Sequence, residues 1–279
     1  LVPFDVAAGS PAGVETARLL AGHWGSRVEL VNVDPGPPPA FHEGLDLWTL
    51  DALESLGRER RARLARTAAG LPRSATHVLA GSPASIIPRL TADAAADLVV
   101  MAPRRVRTTP RWLSGSLAES SVHVASVPVL TVRERPAAYW PRRILAPVKW
   151  TRLADRALRV ARDWARSLGA ELGLLHVFED GAENDMQRRA VVEHALNVLG
   201  EPTPQVRWHW ALGRPFEEIP RTAEAEGYDL VVVAERPRDG WREAVFGTTA
   251  ERVLRASSVP VLSVPSRRAV RRPHVRRAA

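Results

Sequence analysis

At 279 residues, with 45% hydrophobic and 25% charged side chains, the chain has room for two ordinary globular domains, each with its own core. Zero cysteines exclude disulfides, thiolate metal sites and cysteine nucleophiles. The formal net charge is +8, carried almost wholly by arginine with Lys149 the only lysine. That charge favours phosphates, nucleic acid or acidic lipid, although a GC-rich genome that encodes Arg in place of Lys gives the same bias.

No apolar run approaches the roughly 18 residues of a membrane span, and no charged-then-apolar leader opens the chain, so a cytoplasmic protein without a membrane partner is expected. The chain starts in an apolar run without Met, so a few native residues are expected to be missing.

Leu1-Val2-Pro3-Phe4 reads as the end of a buried strand that meets a loop at Asp5. Ser10-Pro11 can cap and start a helix; Val14, Ala17, Leu19, Leu20 and Ala21 give it an apolar surface, and Gly25 is placed to end it. A second strand is predicted over Val28–Val33, with Glu29 and Asn32 as polar interruptions, before the Pro-rich loop Asp34–Pro39. Helical patterning runs from Leu45 to Ala69, where the Arg58–Arg63 run is most simply a solvated face. Thr76–Leu79 is a third strand, and Gly81-Ser82-Pro83 turns the chain into a helix ending near Ala96. A fourth strand, Asp97–Ala102, a polar loop, a capped helix and a closing strand, Val127–Val132, complete the unit. This β-α alternation predicts a Rossmann-like α/β fold, a five-stranded parallel sheet with helices on both faces.

The chain then repeats itself. Asp97-Leu98-Val99-Val100-Met101-Ala102, Gly115-Ser116-Leu117-Ala118-Glu119 and Val127-Pro128-Val129-Leu130 recur 132 residues later as Asp229–Ala234, Gly247-Thr248-Thr249-Ala250-Glu251 and Val259-Pro260-Val261-Leu262. Leu145–Lys149 matches Leu1–Asp5, and Leu172–Val177 matches Val28–Val33, at an offset of 144. The difference of twelve residues falls between the second strand and the Gly81 turn. Residues 1–132 and 144–265 are therefore expected to be two copies of one domain, with 133–143 as linker and 266–279, which holds six arginines, as a disordered basic tail.

In an open parallel sheet, ligands bind beyond the carboxyl ends of the strands, where helix N-termini offer free N–H groups to a phosphate. Gly115-Ser116 and Gly247-Thr248 open helices at that edge. Ser116-Leu117-Ala118-Glu119 and Thr248-Thr249-Ala250-Glu251 are also capping boxes, in which the helix satisfies its own end. No paired-histidine metal motif, nucleophile elbow or P-loop occurs, and no general base can be named. Trp112 and Trp241 fall in the two phosphate-side loops, where they can lid a ligand or cover apolar surface.

These motifs resemble those of the universal stress protein family, in tandem and over nearly the whole chain. Nucleotide-binding members carry G-x2-G-x9-G-S/T after the fourth strand, an Asp after the first and a closing V-P-V-L-x-V strand. Here the signature spacing falls on Ala102, Arg105, Gly115 and Ser116, and again on Ala234, Pro237, Gly247 and Thr248. The resemblance implies a stress-response regulatory protein that binds ATP, with Mg2+, or a similar adenine nucleotide, and whose catalysis is at most slow ATP hydrolysis. Asp5 would contact the sugar or the ion, with Pro3 and Phe4 beside it. Val33 and Val177 match the residue whose backbone faces adenine, and Met101 and Ala102 through Ser116 would meet the phosphates.

The departures have physical consequences. Ala102 and Ala234 each add a methyl where glycine lets backbone approach phosphate. Arg105 is larger, but Arg104, Arg107 and Arg111 share its loop and can supply charge-assisted contacts. Pro237 has no N–H to offer, and Lys149 stands in domain two where domain one has Asp5. A nucleotide is therefore expected in domain one, and a degenerate site in domain two. A non-nucleotide scaffold for an unknown protein partner, and nonspecific nucleic-acid binding through the arginine-rich tail and loops, are the alternatives. The apolar closing strands would be sheet edges, which invite pairing. In the family this strand forms dimer contacts, which implies an intramolecular pseudo-dimer or, between chains, a homodimer.

Overall fold

The computed structural model describes residues 1–4, 6, 11–34, 47–102, 126–133, 140–179, 184–200, 205–235 and 248–266, with side chains from residue 54 onward in the second helix. In domain one the elements are β1 (Val2–Pro3), α1 (Pro11–Trp24), β2 (Val28–Asp34), α2 (Leu47–Ala68), β3 (Ser74–Ala80), α3 (Pro83–Asp93), β4 (Val99–Met101) and β5 (Val129–Thr131). In domain two they are β6 (Arg143–Pro147), α4 (Arg152–Leu168), β7 (Glu171–Phe178), α5 (Asp185–Leu199), β8 (Val206–Leu212), α6 (Pro215–Ala225), β9 (Leu230–Glu235), α7 (Thr249–Ala256) and β10 (Val261–Pro265).

The strands pair in the orders β1-β2-β3 and β4-β5-β10-β9-β6-β7-β8. Leu1 bridges the two sets: its nitrogen donates to Leu98 O at 2.8 Å, and its carbonyl accepts from Val100 N at 2.9 Å. The domains thus share one strand order, with the closing strand next to the fourth, then the first, second and third. Within each domain every pairing is parallel.

The domains join through one antiparallel pairing, β5 with β10. Leu130 faces its own duplicate, Leu262, while Thr131 faces Val261 and Val129 faces Ser263. A pseudo-twofold axis therefore passes through the leucine pair, and the two edges that would have been exposed and apolar close on each other. This is the pseudo-dimer that the closing strands led us to expect. The core on one sheet face contains Leu20, Leu64, Leu158, Val191, Leu130 and Leu262; that on the other contains Ile87, Val129, Ile219, Val253 and Val261. Each core runs through both domains. The first helices also meet across the junction, where Trp24 Nε1 donates to Ser167 Oγ at 2.7 Å and His23 Nε2 lies 2.8 Å from Ser167 O.

Local devices are duplicated with the strands. Gly25 and Gly169 end α1 and α4 at φ 62° and 65°, and Gly81 and Gly213 open the turns into α3 and α6 at φ 131° and 136°, conformations that glycine adopts without strain. α3 stops at Asp93, short of the expected Ala96, because Ala95 takes φ 48°. β3 is longer than the expected Thr76–Leu79, since its full length pairs with β2 from Ser74 to Ala80. The Arg-rich face of α2 is largely exposed, with only Leu64 and Ala68 of its described side chains buried.

Candidate ligand site at the strand ends

In domain two the carboxyl ends of β6, β7 and β9 open into a cavity of about 500 Å³. Pro147 and Val148, Val177 and Phe178, and Val233 and Ala234 supply the three strand ends. α4 covers it with Ala154 and Ala157, α6 with Ile219, and α5 with Gln187 from its first turn. The lining is mainly apolar and partly aromatic, because Trp150 and His176 join Phe178 in the wall. Trp150 and Phe178 both meet His176 edge-on, with centroids 5.6 and 4.6 Å from it.

His176 is buried, and its Nδ1 lies 2.9 Å from Val148 O. A carbonyl only accepts, so that bond puts a proton on Nδ1 and leaves Nε2 an acceptor when the ring is neutral. In domain one Asn32 occupies the same place, and its Nδ2 donates to Phe4 O at 3.0 Å. Both domains thus use a polar side chain on the second strand to hold the backbone that leaves the first. Lys149, at the position of Asp5, pairs at 3.2 Å with Glu179, and both side chains are exposed.

At the start of α7 the capping box is complete. Thr248 N donates to Glu251 Oε2 at 2.9 Å, and Glu251 N donates to Thr248 Oγ1 at 3.3 Å. The Thr248 hydroxyl donates in turn to Glu235 Oε1 at 3.2 Å. Glu235, the last residue of β9, is 4% exposed and Glu251 is fully buried. Two buried carboxylates therefore occupy the helix end that would otherwise present positive charge to an anion.

In domain one the described site residues sit at matching strand ends. Phe4 N donates to Val31 O at 2.7 Å, Val132 N donates to Met101 O at 2.8 Å, and Pro3 and Val33 pair with Val31 and Leu79. The methyl of Ala102 lies against Gly13 of α1, with 3.6 Å from it to the point where a Cβ on Gly13 would stand. A Cβ at Gly13 would make ordinary van der Waals contact with that methyl, and domain two carries alanine at both matching positions, Ala157 and Ala234. Asp5, Arg105, Gly115, Ser116 and Gly247, with Trp112 and Trp241, lie outside the described residues. Val177 and Thr248 both line the domain-two cavity.

The model of the universal stress protein family matches the chain twice, over residues 1–133 and 141–265. The chain belongs to the universal stress protein family. A universal stress protein of Mycolicibacterium smegmatis is 28% identical over 190 residues, a match covering 64% of this chain and 65% of that relative, slightly under two thirds of its length. One from Mycobacterium tuberculosis is 25% identical over 259 residues, covering 84% of this chain and 85% of its own. Among solved structures, a universal stress protein from Archaeoglobus fulgidus superposes with a TM-score of 0.72 at 22% identity, over 95% of each chain. At that identity the likeness speaks for the fold.

Five residues of this universal stress protein's cavity region escaped sequence reasoning: Trp150, His176, Phe178, Gln187 and Glu235. His176 carried a signal, since it stands at the Asn32 position of an otherwise apolar strand. Glu235 carried another, as the residue that follows the first signature position Ala234. Trp150 and Gln187, in a loop and a helix start, and Phe178, at the end of β7, carried none, because such residues reveal their direction only once the fold is built. Among the described residues no helix is long and apolar enough to cross a membrane.

Proposed function

We propose that this universal stress protein is a ligand-responsive regulator that binds an adenine nucleotide in domain one. The supporting observation is the cavity at the ends of β6, β7 and β9, of a size that accepts small molecules, which are typically held in roughly 300–1,000 Å³. The duplicated strand order gives domain one the same switch point, with Pro3, Phe4, Val33, Met101 and Ala102 at the corresponding strand ends. Domain one also differs where phosphate is concerned. It has Asp5 in place of Lys149, Pro103 in place of Glu235, and four arginines at 104, 105, 107 and 111 with no acid among them in the loop after β4, whereas the loop after β9 sets Asp239 and Glu243 against Arg236, Arg238 and Arg242. Guanidinium groups suit phosphate oxygens, and no carboxylate occupies the position of Glu235. In this reading Asp5 contacts the sugar or a Mg2+ ion carried by the nucleotide, the backbone at Val33 faces the base, and the loop to Gly115-Ser116 takes the phosphates.

Calorimetry with ATP on the purified chain tests it. Heat is expected from the native protein and not from an Asp5→Ala, Ser116→Ala double variant. No heat at millimolar ATP would discard the nucleotide and leave a scaffold role.

A further inference from the structure

We propose that two copies of this chain join through the open edge of β8, each β8 pairing antiparallel with the other about a twofold axis at His209. This interaction is independent of the nucleotide reading of domain one.

The edge is open because β8 ends the seven-strand order, and among the described residues only β7 pairs with it. The Gly213 N–H turns to β7, donating to Phe178 O at 3.0 Å. Backbone groups alternate along a strand, so Arg207, His209 and Ala211 also turn inward, while Val206, Trp208, Trp210 and Leu212 aim theirs outward. The closing strands, at the opposite edge of each domain, are consumed in the internal seam. The two edges that remain differ. β3 carries Ser74, Thr76 and Val78 where β8 carries Val206, Trp208 and Trp210. A polar edge resists pairing, and an apolar one invites it.

The helix above continues the apolar strip. Trp208 and Trp210 are half-buried and stack with centroids 5.7 Å apart, and the Arg188 guanidinium of α5 lies 5.2 Å over Trp210. On the far side of α5, His194 reaches Asp155 of α4 at 2.8 Å. Val192 and Leu196, on the opposite flank of the helix, therefore look past the sheet edge, where they line an apolar groove with Arg188. Leu196 is 39% exposed, and Leu212 at the end of β8 is 51% exposed.

Three features make a second copy the occupant. The first is the symmetry of the edge itself. Residues 206–212 (VRWHWAL) read nearly alike in both directions about His209. Antiparallel self-pairing about that residue sets Trp208 opposite Trp210 and Val206 opposite Leu212. These are the residues whose backbone groups aim outward, and aromatic cross-strand pairs are among the favourable ones. The second is charge. The groove of about 550 Å³ along the edge holds Arg188 and Arg221 with Glu218 and Glu226, so a twofold-related copy brings both signs in equal measure. On its α6 side the small residues Thr222 and Ala225 leave room for an approaching edge. The third is the seam within the molecule, where β5 and β10 already meet antiparallel about the leucine pair.

Because the chain has no cysteine, a single introduced thiol reports the register. Facing residues of a non-hydrogen-bonded antiparallel pair have Cα atoms about 4.5 Å apart, within disulfide reach. His209→Cys in the full chain should form a disulfide-linked dimer under mild oxidation at micromolar concentration. His77→Cys, at the matching position of β3, should stay monomeric. Sedimentation velocity of the native chain should show a dimer. Leu196→Glu and Leu212→Lys, both at exposed positions, should each weaken it about tenfold or more with unchanged circular dichroism, since the twofold buries the new charge once in each copy. A native chain that stays monomeric at high micromolar concentration overturns the proposal. So does a dimer that neither variant weakens, or His77→Cys cross-linking as readily as His209→Cys.

Discussion

The hydroxyl of Tyr228 lies 2.7 Å from Nε2 of His209, and the phenol fills the space over Gly173 so fully that a Cβ there would overlap its oxygen and Cζ. In domain one the counterpart of His209 is His77, whose Nε2 lies 2.6 Å from Glu29 Oε2. Glu29 stands at the Gly173 position and Ala96 at the Tyr228 position. Each half therefore supplies its third-strand histidine with one oxygen partner, from the neighbouring strand in domain one and from the turn before β9 in domain two. Burial, reinforced by the charge of Glu171, pushes the Tyr228 hydroxyl up to about 12, so it stays a neutral phenol.

Gly173→Ala should be destabilising by about 1–3 kcal/mol, the usual cost of forcing atoms into a filled core, because Tyr228 is 2% exposed and cannot swing clear. The urea midpoint measures it, and an unchanged midpoint would mean that the phenol is free to move. The double variant Gly173→Glu, Tyr228→Ala rebuilds the domain-one arrangement and should be more stable than Gly173→Glu alone.

The same contact carries a pH dependence. Burial holds the His209 imidazole below its ordinary value, with Arg207 and Arg143 adding to that effect against Glu226 and Glu171. The folded chain then takes up this proton less readily than the unfolded chain, whose histidine titrates near roughly 6.5. Stability is accordingly full above that value and declines as the pH falls from it towards the lower folded value. Comparing denaturation midpoints at several pH values in native protein and His209→Gln isolates the effect. The native protein should lose more stability on acidification than the variant; equal losses refute the assignment.

Thr248→Ala removes an N-cap that serves Glu251 N–H and the Glu235 carboxylate together. Cap losses run to about 2 kcal/mol, and this one should reach the top of that range because both glutamates are buried. Thr248→Ser keeps the hydroxyl and should recover most of the loss in thermal unfolding. A Ser variant as unstable as the Ala variant would point to the methyl group and away from the cap.

Leu130 and Leu262 are fully buried and face each other on the pseudo-twofold axis. Leu130→Ala should cost about 2–5 kcal/mol. Since both cores cross the junction, the loss should appear equally in circular dichroism and in tryptophan emission, five of whose nine residues (Trp150, Trp164, Trp208, Trp210 and Trp241) belong to domain two. Transitions that separate would show that the domains unfold independently.

Much of the fold was legible because the duplication tested every strand and turn twice. Gly25 and Gly81-Ser82-Pro83 could be assigned from position alone, and the capping box at Thr248 was readable from its spacing. The ligand site was less so. Alternation in β7 marks His176 as a polar interruption but does not say that its ring turns to Val148 O. The loop signature marks positions 234 and 237 but not that Glu235 turns back to Thr248. Such facts depend on which strand end faces which helix, and that is a property of the assembled sheet. Strand limits also shifted with pairing, as β3 lengthened to match β2.

The antiparallel seam through Leu130 and Leu262 has an evolutionary consequence. In an assembly of identical chains, every substitution appears on both sides of the axis, and the two sites must change together. Covalent fusion breaks that obligation: a mutation at Glu235 or Lys149 alters one half and has no mirror image. The molecule is in effect a heterodimer of fixed composition, free to specialise one half while the other keeps its older chemistry.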